Sequence, residues 1–336
     1  MVTEWNAGTF LSVSSAYWRG CALQAGVRLE LFTILADRVS TLSEITGKTK
    51  TDSRGMEYLL NALSAMGLLI KVDDSYRNSM AALDFLCKDS PRYLGHIILH
   101  HHHILDGWAQ LDVAVRTGAP VSKRSYGTGV ERESFLMGMF NLAMAIAPDI
   151  AGRVELKDRK RLLDLGGGPG TYAIHFCQAN PNLRAVIFDR PTTKPFAEKT
   201  VAGFGLTERI DFIGGDFNTD PISGGPYDVA WLSHILHSSG PAECREMIRK
   251  VLAVMEPGGL VLVHDFILDN TKDGPEFAAL FSLNMLINNP QGRTYSEEEI
   301  TRMLRENGAN EIERLPFRGP NSSSVICATV KSHNSH

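Results

Sequence analysis

The chain has 336 residues, room for two domains at the usual domain size of roughly 100–200 residues. A composition 43% hydrophobic and 21% charged is that of an ordinary globular protein. The formal net charge of -4 gives no electrostatic reason for nucleic acid or an anionic membrane as partner.

No apolar run approaches the roughly 20 residues that span a bilayer. The start, MVTEWNAGTF, lacks the basic region and apolar centre of a secretory signal. Cys21, Cys87, Cys177, Cys244 and Cys327 are scattered and form no CxxC pair, which predicts reduced thiols and a cytoplasmic location.

In chain order, the first hundred residues read as helix with one interruption. Leu23, Val27, Leu31 and Leu35 recur at near-helical spacing, and so do Met56, Leu59, Leu60, Leu63 and Met66. Asp52 and Ser53 are candidate caps of the second helix, and Gly67 ends it. Leu68–Val72 then predicts a short strand, turned at Asp73-Asp74-Ser75 into Tyr76-Arg77-Asn78. Helix, helix and hairpin outline a winged helix. A DNA-reading helix needs several Lys or Arg, yet Ser53–Met66 carries only Arg54 and Glu57 as charges. A surface that packs on a partner domain or subunit is the better reading.

Pro91–Gly118 is again helical and includes His100-His101-His102-His103. Successive side chains on a helix point about 100° apart, so at most two of the four could share a ligand face. Pro120–Gly129 reads as a loop, and one helix from about Glu131 to Ile150 leads onward. The predicted organisation is a helical domain over 1–118, a loop and linker helix lining a substrate cleft over 119–150, and a ligand-binding domain over 151–336.

From Lys160, strands alternate with helices. Arg161–Leu165, Arg184–Phe188, Ile210–Ile213, Asp228–Leu232 and Leu260–Asp265 are short apolar runs that argue a doubly wound α/β sheet. Glu311–Phe317 and Ser324–Val330, joined through Arg318–Asn321, predict an antiparallel hairpin closing it.

Leu162–Leu165 runs into Gly166-Gly167-Gly168-Pro169-Gly170 and then a helix from Thr171. Such glycines permit positive φ and let a ligand touch the backbone. In an open α/β sheet this is where ligands bind. The dinucleotide fingerprint would need a third glycine at 171, where Thr171 stands, and the Gly-Lys-Ser/Thr of a P-loop is absent. After the second strand, Asp189 stands where a carboxylate can accept both ribose hydroxyls of an adenosine, although a loop cap is its other reading. After the third strand, Asp216 is placed to bond an adenine amino group while Phe217 packs on the ring.

These residues resemble the class I S-adenosylmethionine-dependent O-methyltransferases. The subgroup includes caffeic acid and hydroxyindole O-methyltransferases and bacterial polyketide and phenazine methyltransferases. The resemblance rests on LLDLGGGPGTYA (162–173), VIFD (186–189), GGDFN (214–218), DVAWLSHILH (228–237), EPGGLVLVHDFIL (256–268), WAQLDVAVRTG (108–118) and FNLAM (140–144). It implies a Rossmann-like doubly wound methyltransferase domain and an N-terminal winged-helix domain that makes a homodimer. Gly166, Gly168, Gly170, Asp189, Asp216 and Phe217 match the cofactor residues, and Ser233 stands where the family usually has lysine and is counted with them. His237 matches the general base and Asp265 the acid that orients it; Phe140 and Met144 match positions lining the acceptor pocket. The family's His-Asp-Trp reads His237-Ser238-Ser239 here, and the second acid of plant members is absent near Gln291-Gly292-Arg293.

The implied reaction moves a methyl group from S-adenosylmethionine to a hydroxyl oxygen of a small, flat aromatic or polyketide-like acceptor, leaving S-adenosylhomocysteine. Acceptor oxygen, methyl carbon and sulfur must stand nearly collinear, with reacting atoms about 3–3.5 Å apart. A phenol of pKa near 10 is mostly protonated at neutral pH, so an imidazole of reference pKa about 6.5 is suited to take its proton. No metal is required. Transfer to carbon or nitrogen, or a relative that keeps the cofactor for other chemistry, is the alternative within the fold. A winged-helix DNA-binding regulator is the alternative outside it.

Overall fold

The computed structural model describes residues 4–121 and 129–331. By its internal contacts the chain divides into two compact units. One comprises Met1–His103 with Gly127–Asn141, the other Ile104–Tyr126 with Leu142–His336. Most of the predicted loop Pro120–Gly129 lies outside the described residues.

In the first unit, strands β1 (Ser40–Thr41), β2 (Leu69–Val72) and β3 (Ser75–Asn78) form an antiparallel sheet in the order β1-β3-β2. The helix Ser53–Ala65 starts where the Asp52 carboxylate accepts the Gly55 amide at 2.9 Å. It stops before Gly67, whose φ of +77° ends helical geometry. Its inner face, Met56, Leu60 and Leu63, meets Val27, Leu31, Phe32 and Leu35 in one buried cluster. The spacing Leu23 to Leu35 is carried by two helices, Tyr17–Arg28 and Leu31–Leu35, because Glu30 between them takes the left-handed conformation at φ 54°.

The helical stretch 91–118 consists of three helices. Gly95–His103 belongs to the first unit, whereas Leu105–Trp108 and Leu111–Thr117 pack on the helix Glu276–Asn288 of the second. The contact pattern therefore breaks after His103, ahead of the boundary at 118 that the sequence suggests. Trp108 is one tie to the second unit, its indole N–H donating to Asn284 Oδ1 at 3.1 Å. His102 of the histidine run lies 2.8 Å from Arg28 Nη1, and the His100 ring packs edge-on against Phe135.

The predicted helix Glu131–Ile150 is also divided, into Gly129–Met144 and Ala147–Arg153. Pro148 sits in the first turn of the second piece, where its missing N–H costs nothing, and its ring disfavours continuous helix through the preceding residues. No single helix among the described residues is long and apolar enough to cross a membrane.

The second unit is built on seven strands: β4 (Arg161–Leu165), β5 (Arg184–Asp189), β6 (Ile210–Gly214), β7 (Tyr227–Ser233), β8 (Met255–Asp265), β9 (Ala309–Arg314) and β10 (Ser324–Val330). Their order is β6-β5-β4-β7-β8-β10-β9, parallel from β6 to β8, with β10 antiparallel to both its neighbours. The apolar runs are continuous because both faces are covered. Leu163, Leu165, Ala230, Leu232, Val261 and Val263 point into one core. Leu162, Val229, Trp231 and Leu262 point into the other. The chain leaves β4 toward β5 on one side and returns through β7 on the other. That reversal falls at the carboxyl ends of β4 and β7, the usual ligand site of such sheets.

Asp228 locks the far end of the sheet. Its carboxylate accepts the Lys160 amide at 2.7 Å and the Arg161 amide at 2.8 Å, tying the start of β4 to β7. Asp228→Ala should cost about 2 kcal/mol, as charge-assisted bonds of this kind are lost. A melting curve should fall by about 4–8 °C, and Asp228→Asn by less, since one acceptor oxygen remains.

Candidate active site

The glycine loop follows β4 directly. Gly166, Gly168 and Gly170 have φ of 66°, 55° and 83°, a region that L side chains rarely adopt. A Cβ on Gly166 would lie 2.7 Å from Ile235 Cγ2 and 3.2 Å from Phe217 Cε1, whereas one on Gly168 would meet nothing within 4 Å. The loop is thus closed on one side and open on the other, a cradle with room for a ligand against its backbone. Gly167 is needed for a different reason: its Cβ would sit 2.6 Å from the Asp164 carboxylate carbon.

Asp164 has no assigned role in the sequence reading, yet it is buried beneath the loop and accepts the Ala173 amide at 3.2 Å. Burial pushes its carboxyl up to about 7, against the pull of that amide. The signal was available. An acid at 164 occupies an inward position in a strand where Leu162 faces an apolar core.

Asp189 closes β5. Its Oδ2 accepts the Gly168 amide at 2.8 Å, and its Oδ1 accepts the Arg190 amide at 2.6 Å and the Thr193 hydroxyl at 3.3 Å. Burial raises its carboxyl above the usual range, and these donors oppose the shift. Beyond β6, Asp216 Oδ1 accepts the Asn218 amide at 2.9 Å, and Asp216 Oδ2 lies 3.4 Å from Arg190 Nη2. Lys250 holds this loop from the helix Pro241–Leu252 by donating to the carbonyls of Phe217, at 2.5 Å, and Asp220, at 2.9 Å. Loop, Asp189 and the Asp216-Phe217 pair therefore share the carboxyl edge of adjacent strands. This arrangement fits an adenosyl group: an open glycine cradle, a carboxylate at its rim and a ring against Gly166.

Ser233 ends β7, its hydroxyl 2.9 Å from His264 Nδ1, with the Tyr172 hydroxyl 3.4 Å from the same nitrogen. His264 is wholly buried. Burial first, and the neighbouring His234 second, hold its imidazole well below the ordinary range, so it is neutral.

Asp265 ends β8, and His237 follows β7 in the short turn Leu236–Ser238. Since β7 and β8 are paired neighbours, their ends deliver the two side chains to one point. Asp265 Oδ1 accepts from His237 Nδ1 at 2.8 Å and from the Phe266 amide at 2.8 Å, and His234 Nδ1 stands 3.4 Å away. Burial alone would raise the carboxyl, but the neighbouring imidazoles, His237 first and His234 behind it, outweigh it and keep Asp265 ionised. With Nδ1–H given to Asp265, the lone pair of His237 is at Nε2.

His234, His237 and Asp265 also form a group whose ligand atoms lie within 4.8 Å of one another; the run His100–His103 is not part of it. Ligand atoms of one tetrahedral ion stand about 3.3 Å apart, given bonds of 2.0–2.1 Å. The 2.8 Å between His237 and Asp265 is a hydrogen-bond distance.

Three backbone carbonyls hold the turn that carries His237. His237 O accepts the Arg293 amide at 2.8 Å, Ser238 O accepts Asn289 Nδ2 at 2.7 Å, and Ser239 O accepts the Tyr295 hydroxyl at 2.6 Å. Where the family places Asp-Trp side chains, this chain has Ser238-Ser239 and grips the turn by its main chain from 289–295. Phe281 packs edge-on to His237 at 4.9 Å, and Phe266 and Phe277 extend that apolar wall. Met144 lies beside the helix Thr171–Ala179, its sulfur 3.4 Å from His175 Nε2. Phe140 falls in the other compact unit.

Comparison with known proteins agrees with this geometry. The O-methyltransferase domain family matches residues 104–310, and the O-methyltransferase dimerisation domain family matches residues 11–88. The 3-hydroxy-5-methyl-1-naphthoate 3-O-methyltransferase of Streptomyces sahachiroi is 32% identical over 327 residues, covering 95% of this chain and 94% of that one. The tetracenomycin polyketide synthesis 8-O-methyl transferase TcmO of Streptomyces glaucescens is 33% identical over 326 residues, covering 95% and 96%. The solved structure of PigF with SAH matches with a TM-score of 0.88 at 26% identity, over 97% of this chain and 100% of that one. PigF of Serratia is described as an S-adenosyl-L-methionine-dependent methyl transferase. The chain belongs to the O-methyltransferase family and is an S-adenosylmethionine-dependent O-methyltransferase.

Proposed function

We propose that the enzyme methylates a hydroxyl oxygen of a small, flat aromatic or polyketide-like acceptor, with His237 as general base. The observation that carries this is the 2.8 Å bond from His237 Nδ1 to the buried, ionised Asp265, which leaves Nε2 free to take a proton. The acceptor class is supported by the naphthoate and tetracenomycin activities of the two Streptomyces relatives and by the phenylalanine wall beside His237.

S-adenosylmethionine, when bound, supplies an electrophilic methyl group. Gly166, Gly168 and Gly170 would cradle it, Asp189 would accept from its ribose, and Asp216 with Phe217 would hold its adenine. Ser233, at the neighbouring strand end, completes the set. His237 Nε2 takes the acceptor's proton, and Asp265 stabilises the imidazolium that results. The apolar wall of Phe266, Phe277 and Phe281 excludes water from that proton transfer.

The five cysteines are free, as a reducing cytoplasm would keep them. A homodimer through the N-terminal unit is supported by the dimerisation domain match and by exposed Trp5, Phe10, Leu11, Tyr17 and Trp18 at the start of the chain.

Three outcomes follow. His237→Gln should lower kcat by about 10²–10⁴-fold, while calorimetry finds S-adenosylhomocysteine affinity nearly unchanged; near-normal turnover would remove His237 as base. Asp189→Ala should weaken that affinity by about 10–100-fold, the worth of charged hydrogen bonds, with an unchanged circular dichroism spectrum. Light scattering on a sizing column should give twice the chain mass, falling toward a single chain when Phe10 and Trp18 are both replaced by Asp.

A further inference from the structure

His234 is not the group that takes the acceptor's proton, yet its backbone is held in a costly conformation. Its backbone φ is +54°, in the left-handed region that glycine or asparagine would fill more easily. The strained turn swings the imidazole back over the end of β8. There it packs on Phe266, with ring centroids 4.5 Å apart, and edge-on to His264, also at 4.5 Å. Its Nδ1 is buried, has no hydrogen-bond partner and stands 3.4 Å from Asp265 Oδ1. The side chain as a whole is nonetheless 25% exposed. Nε2, unlike Nδ1, is not a buried atom and takes no hydrogen bond from the described residues, so it lies on the exposed part of the ring.

Two imidazoles thus turn their Nδ1 edges toward one carboxylate oxygen. Edges that converge on one side of a ring pair diverge on the other. The ring centroids of His234 and His237 are 5.9 Å apart, tilted by 48°. Their Nε2 atoms consequently address different atoms of whatever lies against them.

Resting on the base assignment above, we propose that His234 is a specificity-determining residue that accepts a hydrogen bond from a second hydroxyl of the acceptor, so that the preferred substrate is a polyhydroxylated arene. The chemistry follows from Asp265. An ionised carboxylate favours Nδ1–H on each ring and leaves each Nε2 an acceptor, which selects an O–H donor and rejects a bare ring edge or an ether. One hydroxyl loses its proton to His237 and takes the methyl group. The other keeps its proton, bonds His234 and sets which oxygen is presented. The Phe266 ring, tilted by 46° against His234, limits the swing of the imidazole, so this choice is made by position.

The test uses the full-length enzyme with S-adenosylmethionine and two acceptors, 1,3-dihydroxynaphthalene and 1-naphthol. Wild type should favour the diol by at least tenfold in kcat/KM, mainly through KM. His234→Phe keeps a ring against Phe266 and His264, and His234→Gly relieves the left-handed backbone, so folding failure of one leaves the other informative. In both, the diol-to-monool ratio should fall toward one. A purely structural role would lower both acceptors alike and leave the ratio unchanged, and that result overturns the proposal. So does a wild-type enzyme that does not discriminate, or one that binds neither compound by calorimetry with S-adenosylhomocysteine present. His237→Gln separates this from the base assignment: it should depress turnover of both acceptors while keeping their affinity ratio, and turnover surviving in it would sink the base alone.

Discussion

The site depends on one buried charge. A carboxylate at Asp265 has almost no contact with water, and an ionised group taken out of water is tolerated only when its oxygens are bonded and a counter-charge is near. The Phe266 amide and the His237 imidazole supply two donors at 2.8 Å to the same oxygen. Remove the carboxylate and nothing selects the tautomer of His237; remove the imidazole and the charge is stranded. The pairing of β7 with β8 is what makes this economical, because Ser233 and His264 lie side by side in register and the next residues emerge together.

The same edge of the sheet organises the ligand cradle. Four strand ends, β4 to β7, contribute the glycine loop, Asp189, Asp216 with Phe217, and Ser233, and each is tied to its neighbour before any ligand arrives. Asp189 holds the loop through the Gly168 amide, Arg190 reaches Asp216, and Lys250 fixes the carbonyls beyond it. Such cross-bracing fixes the edge without help from a ligand, as the proposed alignment of three reacting atoms would require.

Much of this was legible in the sequence because local chemistry demanded it. Glycine adopts the positive φ values at 166, 168 and 170 at least cost, and an acid after β5 is conspicuous at the end of an apolar run. The seven strands and the closing hairpin followed from hydrophobic pattern. What could not be read is long-range. The grip of Asn289, Arg293 and Tyr295 on the His237 turn spans more than fifty residues and acts on main-chain carbonyls, which carry no side-chain signature. Ser238-Ser239 lacks the family's Asp-Trp side chains, and the turn is held through its carbonyls from 289–295. The break at 145–146 is a different case: Pro148, in the first turn of Ala147–Arg153, is a local signal that outweighs the continuous helical spacing from Glu131 to Ile150.

Two aspartates in this unit show why residue type alone does not assign a role. Asp164 and Asp265 both end up excluded from water at the carboxyl edge of the sheet. Asp164 has the Ala173 amide at 3.2 Å and feels the like charge of Asp189, so desolvation wins and its carboxyl rises to about 7. Asp265 has two imidazoles and a shorter amide bond, so the same desolvation loses. The first is therefore suited to hold a loop by a hydrogen bond, the second to carry a permanent charge that orients a base. Partners within 3.5 Å, and not burial, divide the labour between them.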